Sequence, residues 1–152
     1  MHTNTKVRFF FQNSSIRFSE RTRLKSFIEG IFKKERKKLE NLNYIFCTDD
    51  YLLKINRKYL KHDFYTDIIS FDLSETPNTI SGDIYISTDR VKENAKSLNI
   101  NIKQDLMRVI FHGALHLCGY KDKNRNEIAI MREKENDLLK VYFKKNTSRR
   151  ST

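Results

Sequence analysis

The chain has 152 residues, a formal net charge of +11 and 38% hydrophobic content. That length suits one domain with a sizeable core, and the composition excludes a disordered chain. No segment approaches the ~20 apolar residues of a membrane helix, and the start, MHTNTKVRFFFQ, lacks the apolar stretch of a signal peptide. A cytoplasmic protein without a membrane partner is expected.

The first element is a short β-prone run, KVRFFFQ (6–12). Ser19 is placed to cap a helix in which Leu24, Phe27, Ile28 and Ile31 fall at i, i+3, i+4 and i+7, one apolar face. Its second half, KKERKKLE (33–40), reads as a solvated basic helix face. NYIFCT (43–48) reads as a strand, so strand, helix and strand form a right-handed parallel crossover. DDYLLKINRKYL (49–60) reads as a short helix and TDIISFDL (66–73) as a third strand. SETPNTISG (74–82) reads as a loop and GDIYIS (82–87) as a fourth strand. Thr88 or Asp89 then caps a helix with Val91, Ala95 and Leu98 on one face. Asn101 caps the next, with Gln104 as a capping-box partner. Gly119 stops that helix. A last amphipathic helix runs from about Asn126 to Phe143, giving one domain over 1–143 and a basic, disordered tail over 144–152.

Cys47 and Cys118 are the only cysteines. They are too few for a disulfide scaffold, so free thiols and no disulfide-linked partner are expected, with Cys118 as a small buried apolar residue. The basic charge favours a polyanion, most commonly nucleic acid.

The chemistry concentrates in FHGALHLCGYKD (111–122). His112 and His116 are one turn apart on a helix, so their imidazoles can reach one ion. Gly119 lets the chain fold back, and Asp122 is placed to supply a third ligand. Two histidines and a carboxylate leave an open position, the signature of a catalytic metal. Zinc is the default, the same set also suits non-haem iron, and the pattern does not exclude nickel or manganese. A zinc peptidase carries a glutamate general base after its first histidine. Gly113 stands there, so a peptidase of that kind is not expected. RNA brings anionic phosphates and its own 2′-hydroxyl nucleophile, which with the charge points to RNA as substrate.

HGALHLCGYKD resembles the H-G-x-L-H-L-x-G-Y-D-H motif of the YbeY endoribonucleases. INRKYLKHDFYTDIISF (55–71) is similar to that family's L-N-x-x-Y-R-x-K-D-x-P-T-D-V-L-S-F, GDIYIS (82–87) to its G-D-I-x-I strand, and MREKENDLL (131–139) to its C-terminal helix. The resemblance implies an α+β domain, a small four-stranded mostly parallel sheet packed with about five helices, the metal site on a helix. It implies a zinc-dependent endoribonuclease that matures ribosomal RNA, notably the small-subunit 3′ end, and takes part in ribosome quality control. Its partners would be ribosomal RNA, the small ribosomal subunit and assembly factors. The implied ligands are His112, His116 and Asp122, the last where the family has histidine. Asp67 and Ser70 are candidate catalytic residues near the cleft. Leu60 stands where the family has an arginine tied to RNA cleavage, so Arg57, Lys58 and Lys61 are candidate RNA contacts. The competing expectation is an RNA-binding ribosome-assembly factor whose metal is structural.

Overall fold

The computed structural model describes residues 5–150, with side chains to residue 144. Strands β1 (Val7–Gln12), β2 (Lys38–Cys47), β3 (Ile68–Asp72) and β4 (Thr79–Ser87) form one sheet in the order β1-β2-β4-β3. β1, β2 and β4 are parallel, and β3 runs antiparallel along the edge of β4. The helices are α1 (Arg21–Lys34), α2 (Asp49–Ile55), α3 (Thr88–Leu98), α4 (Ile102–Leu117) and α5 (Arg125–Arg150). A turn of π-helix, Asn56–Leu60, continues α2. The α+β architecture is as expected from the sequence. The backbone of α5 runs on to Arg150, beyond the end expected at Phe143 and into the expected tail, while residues 151–152 and the side chains from 145 onward lie outside the described residues.

Period-two alternation in the strands puts one apolar set on each face. Leu42, Tyr44 and Phe46 of β2 and Ile84 and Ile86 of β4 are fully buried on the face covered by α1 and α4. A smaller cluster of Cys47, Leu52 and Ile69 lies under α2 on the other face. α4 is apolar on most of its circumference, which fits its position between the sheet, α1, α3 and α5. Tyr44 donates its hydroxyl to the Ile110 carbonyl at 2.8 Å, so the one polar atom of this ring is satisfied inside the core.

Two glycines set how closely α4 approaches the sheet. A Cβ on Gly113 would sit 2.8 Å from Ile84 Cδ1 and 3.1 Å from Ile68 Cδ1. One on Gly82 would meet Leu117 Cδ1 at 2.8 Å and the Phe71 carbonyl at 2.9 Å. Both positions exclude any side chain at the present separation.

Four local expectations within the sheet and the first helices differ from the structure. α1 ends at Lys34, and Arg36 has a φ of 60°, so the second half of KKERKKLE belongs to β2 rather than to a helix. Leu39 and Leu42 are buried in the sheet, and the intervening charges leave either element possible by composition. The α1 cap is Glu20, without a side-chain bond, rather than Ser19. Ser87 caps α3, accepting from the Arg90 amide, rather than Thr88 or Asp89. β4 also starts earlier, at Thr79, inside the expected loop. Asn101 caps α4 as expected, accepting from the Lys103 amide at 2.8 Å. Both thiols are free and buried, and burial pushes each up to about 12. Among the described residues no helix is long and apolar enough to cross a membrane.

Candidate metal centre

His112 and His116 project from α4 beside the β3 edge, and the chain reverses just beyond them. Gly119 has a φ of +111°, a conformation that side chains resist. The Tyr120 amide donates to the Leu115 carbonyl at 3.1 Å and the Gly119 amide to the His116 carbonyl at 3.0 Å. These are the two bonds of a Schellman ending. Four residues later α5 begins with a reciprocal cap. Asn124 Oδ1 accepts from the Glu127 amide, and Glu127 Oε1 accepts from the Lys123 and Asn124 amides. Asp122 is therefore held on a short link between two anchored helix ends.

This link brings Asp122 Oδ2 to 3.2 Å from His112 Nε2 and Oδ1 to 3.6 Å from His116 Nε2. One ligand atom from each of the three lies within 4.8 Å of the others, a group that could hold a metal ion. The other nitrogen of His112 supports that fit. Its Nδ1 lies 2.6 Å from Glu135 Oε2, and Glu135, on α5, is only 3% exposed. With Nδ1–H donating to this carboxylate, the Nε2 lone pair faces Asp122, the tautomer a metal requires. Arg108 donates to the second oxygen of Glu135 at 3.0 Å, which compensates the buried charge.

Sequence reasoning passed over Glu135, Arg108 and Asp105. Each carries a signal in retrospect. Glu135 falls on the apolar stripe of α5, between the buried Met131 and Leu139. A carboxylate on such a stripe needs a partner. Asp105, Arg108, His112 and His116 occupy one face of α4 at i, i+3, i+7 and i+11.

These groups line a cavity of about 800 Å³ that also takes in Asp67, Ser70 and Leu60. Ser70 is on the α4 side of β3, paired with Ile84. Asp67 directly precedes β3, and its carbonyl accepts from the Ser87 amide at 2.9 Å. Burial raises the Asp67 carboxyl above its ordinary range, against the opposing pull of His112. Burial, then the charge of Asp67, raises Asp105 too, and its Oδ2 has no hydrogen-bond partner. Arg57, Lys58 and Lys61 are not brought to this cavity. Arg57 pairs with Asp63, and the Lys58 ammonium lies 5.3 Å from the Tyr59 ring centroid.

The sequence profile of the family described as Endoribonuclease YbeY matches residues 9–142. The chain belongs to the endoribonuclease YbeY family. Endoribonuclease YbeY of Cytophaga hutchinsonii is 47% identical over 133 residues, which covers 88% of this chain and 93% of the relative. That of Christiangramia forsetii is 45% identical, covering 90% and 94%. A solution structure from Thermotoga maritima superposes with a TM-score of 0.60 at 27% identity, over 93% of this chain and 95% of the other. The YbeY resemblance and the fold drawn from it are thus established. Against the YbeY motif, Asp122 stands where a histidine is expected, and its carboxylate lies beside the same pair of histidines.

The protonation of His112 has a consequence for the metal-free protein. Burial alone would lower its pKa. The hydrogen bond and charge of Glu135, with Asp122 and Asp67, outweigh burial and hold it above the ordinary 6.5. A raised folded value means that protonated His112 stabilises the fold fully below 6.5. That stabilisation is lost as pH rises through the raised value. In chelator, the melting temperature should therefore fall as the pH rises above about 6.5. The fall should be shallower for Glu135→Gln. Thermal melts across this range check both, and a flat wild-type profile would contradict the assignment.

Proposed function

We propose that this chain is a zinc-dependent endoribonuclease of the cytoplasm. It acts on ribosomal RNA, notably at the 3′ end of the small-subunit RNA, and contributes to ribosome quality control. The observation that carries this reading is the convergence of His112, His116 and Asp122 on a solvent-reaching cavity, with a glycine after the first histidine. The relatives carry the name endoribonuclease, and the net charge of +11 suits an RNA partner. His112, His116 and Asp122 would hold the ion, with Glu135 fixing the His112 ring. When bound, a divalent ion supplies Lewis-acid stabilisation of charge building on the phosphodiester.

The rest of the chemistry falls to side chains of the cavity. Asp67 is the candidate for proton transfer, because burial raises its pKa toward the working range of a general acid or base. Ser70, on the same wall, is the candidate for orienting substrate. Arg57, Lys58 and Lys61 lie outside the cavity lining, so their role is contact with RNA beyond the scissile bond. The small ribosomal subunit and its assembly factors are the proposed partners.

Leu60 supports a second reading. It lines the cavity where the family motif has arginine, which removes a phosphate contact and favours an RNA-binding assembly factor with a structural metal.

Incubation of the full chain with small-subunit ribosomal RNA precursor separates the two. The nuclease reading predicts defined internal cuts that stop on chelation and return with added Zn²⁺. Salt-sensitive binding without cuts, with a lower melting temperature on chelation, would establish the second reading instead.

A further inference from the structure

The segment after α2 carries four large exposed side chains, Tyr59, Leu60, Phe64 and Tyr65. Two of the three aromatic rings pack against partners from other elements of the fold. Tyr59 packs edge-on against Phe71, with centroids 5.8 Å apart, and Tyr65 lies under the Arg90 guanidinium at 5.4 Å. Phe64 is 56% exposed, and its one ring partner among the described residues is His62, stacked at 5.2 Å with an interplanar angle of 20°.

The pair is built rather than loose. Asn56 is only 1% exposed and donates its side-chain amide to the Phe64 carbonyl at 2.9 Å. The His62 amide donates to the Asn56 carbonyl at 3.2 Å, and Lys61 takes the left-handed conformation that turns the chain between them. The backbone under both rings is tied to one buried residue, through its side chain at Phe64 and its carbonyl at His62, while the rings themselves are exposed.

His62 and Phe64 line the same cavity as His112, His116 and Asp122. Arg132, on the same lining, is 62% exposed at its side chain, and its one ion pair among the described residues is with Glu135, at 3.7 Å. An aromatic face and a largely exposed guanidinium on one cavity wall match the two parts of a nucleotide, a π-surface and an anionic phosphate.

We propose that His62 and Phe64 form a stacking platform for one unpaired RNA base beside the candidate metal centre, with Arg132 on the adjoining phosphate. A base inside a duplex is stacked on its neighbours and cannot take up this position, so the platform selects single-stranded RNA. This rests on the reading of the cavity as an RNA site.

The test measures binding rather than cleavage. Full-length, metal-loaded protein is titrated with a labelled 2′-O-methyl single strand and with a duplex of the same length, each checked intact by gel. Phe64→Ala should weaken single-strand binding about 5- to 150-fold, the range that base–aromatic stacking supplies, and leave duplex binding within about twofold. Phe64→Leu should weaken it similarly, since it keeps apolar bulk without a π-face, whereas Phe64→Tyr should bind within about twofold of wild type. Phe64 is exposed, so none of these variants removes a core residue. Wild-type binding to Phe64→Leu, equal losses for strand and duplex, or a wild-type protein without preference for the single strand would overturn the platform. Absence of ribosomal RNA cleavage by the wild type would instead count against the nuclease reading and leave this measurement standing.

Discussion

Glu135→Gln should weaken Zn²⁺ binding by about 10- to 100-fold, the usual cost of losing the partner that orients a ligating histidine. The carboxylate does two things that an amide cannot. It accepts from His112 Nδ1 at 2.6 Å, which makes the imidazole more basic toward a metal, and it balances the Arg108 guanidinium at 3.0 Å. Glutamine offers one oxygen for two donors. Its amide either faces Arg108 as a second donor or turns the oxygen there and points N–H at His112. The second arrangement forces the proton onto Nε2, the nitrogen that would ligate. Competition against a chromophoric chelator measures the change. Arg132→Ala is the control, because Arg132 is exposed and 3.7 Å from the same carboxylate, and it should shift affinity by less than about twofold. Equal affinity in Glu135→Gln and wild type would mean that His112 does not need its partner, and the proposed ligand geometry would be wrong.

That result would also identify which part of the site a sequence can carry. His112, His116, Gly119 and Asp122 lie within eleven positions, and their relations follow from helix geometry and one glycine. Helix period, the Asn101 cap and the left-handed Gly119 are likewise local, and each has its expected place in the structure. Glu135 meets His112 across 23 residues, through the packing of α5 on α4. Periodicity marks its position on the α5 stripe but not the partner. The basic run 33–40 fails for the opposite reason. Its charges satisfy either a helix surface or a sheet edge, and the choice is made by Leu39 and Leu42 entering the sheet against β4. The RNA-contact candidates show the same limit, since Arg57, Lys58 and Lys61 share a segment with the cavity-lining Leu60 and His62 yet do not line the cavity.

Gly113→Ala tests why a peptidase glutamate has no counterpart here. The added methyl would sit 2.8 Å from Ile84 Cδ1, 3.0 Å from Ile84 Cγ2 and 3.1 Å from Ile68 Cδ1. Ile84 is fully buried, and as a β-branched residue it has few rotamers to move into. Alanine is the better helix former by about 1 kcal/mol, so local propensity alone predicts a more stable protein. Overpacking of a close-packed core costs about 1–3 kcal/mol, and the short contacts to both isoleucines put this site at the upper part of that range. The net expectation is a loss of about 1–2 kcal/mol, or a melting temperature lower by roughly 2–8 °C for a domain of this size. The same displacement acts on the site, because Gly113 adjoins His112. If α4 lifts from the sheet, His112 moves relative to Asp67 and Ser70 on the β3 side of the cavity. A misplacement of about 1 Å at a reacting geometry costs roughly 100-fold in rate, so cleavage should fall much further than stability does. Metal affinity should change little, since Asp122 and Glu135 are carried by the link and by α5 rather than by the sheet. A Gly113→Ala protein with unchanged melting temperature and unchanged cleavage would remove close packing as the reason for glycine at this position. A fall in cleavage with metal affinity retained would assign to Gly113 the register between the ligand helix and the strand that faces it.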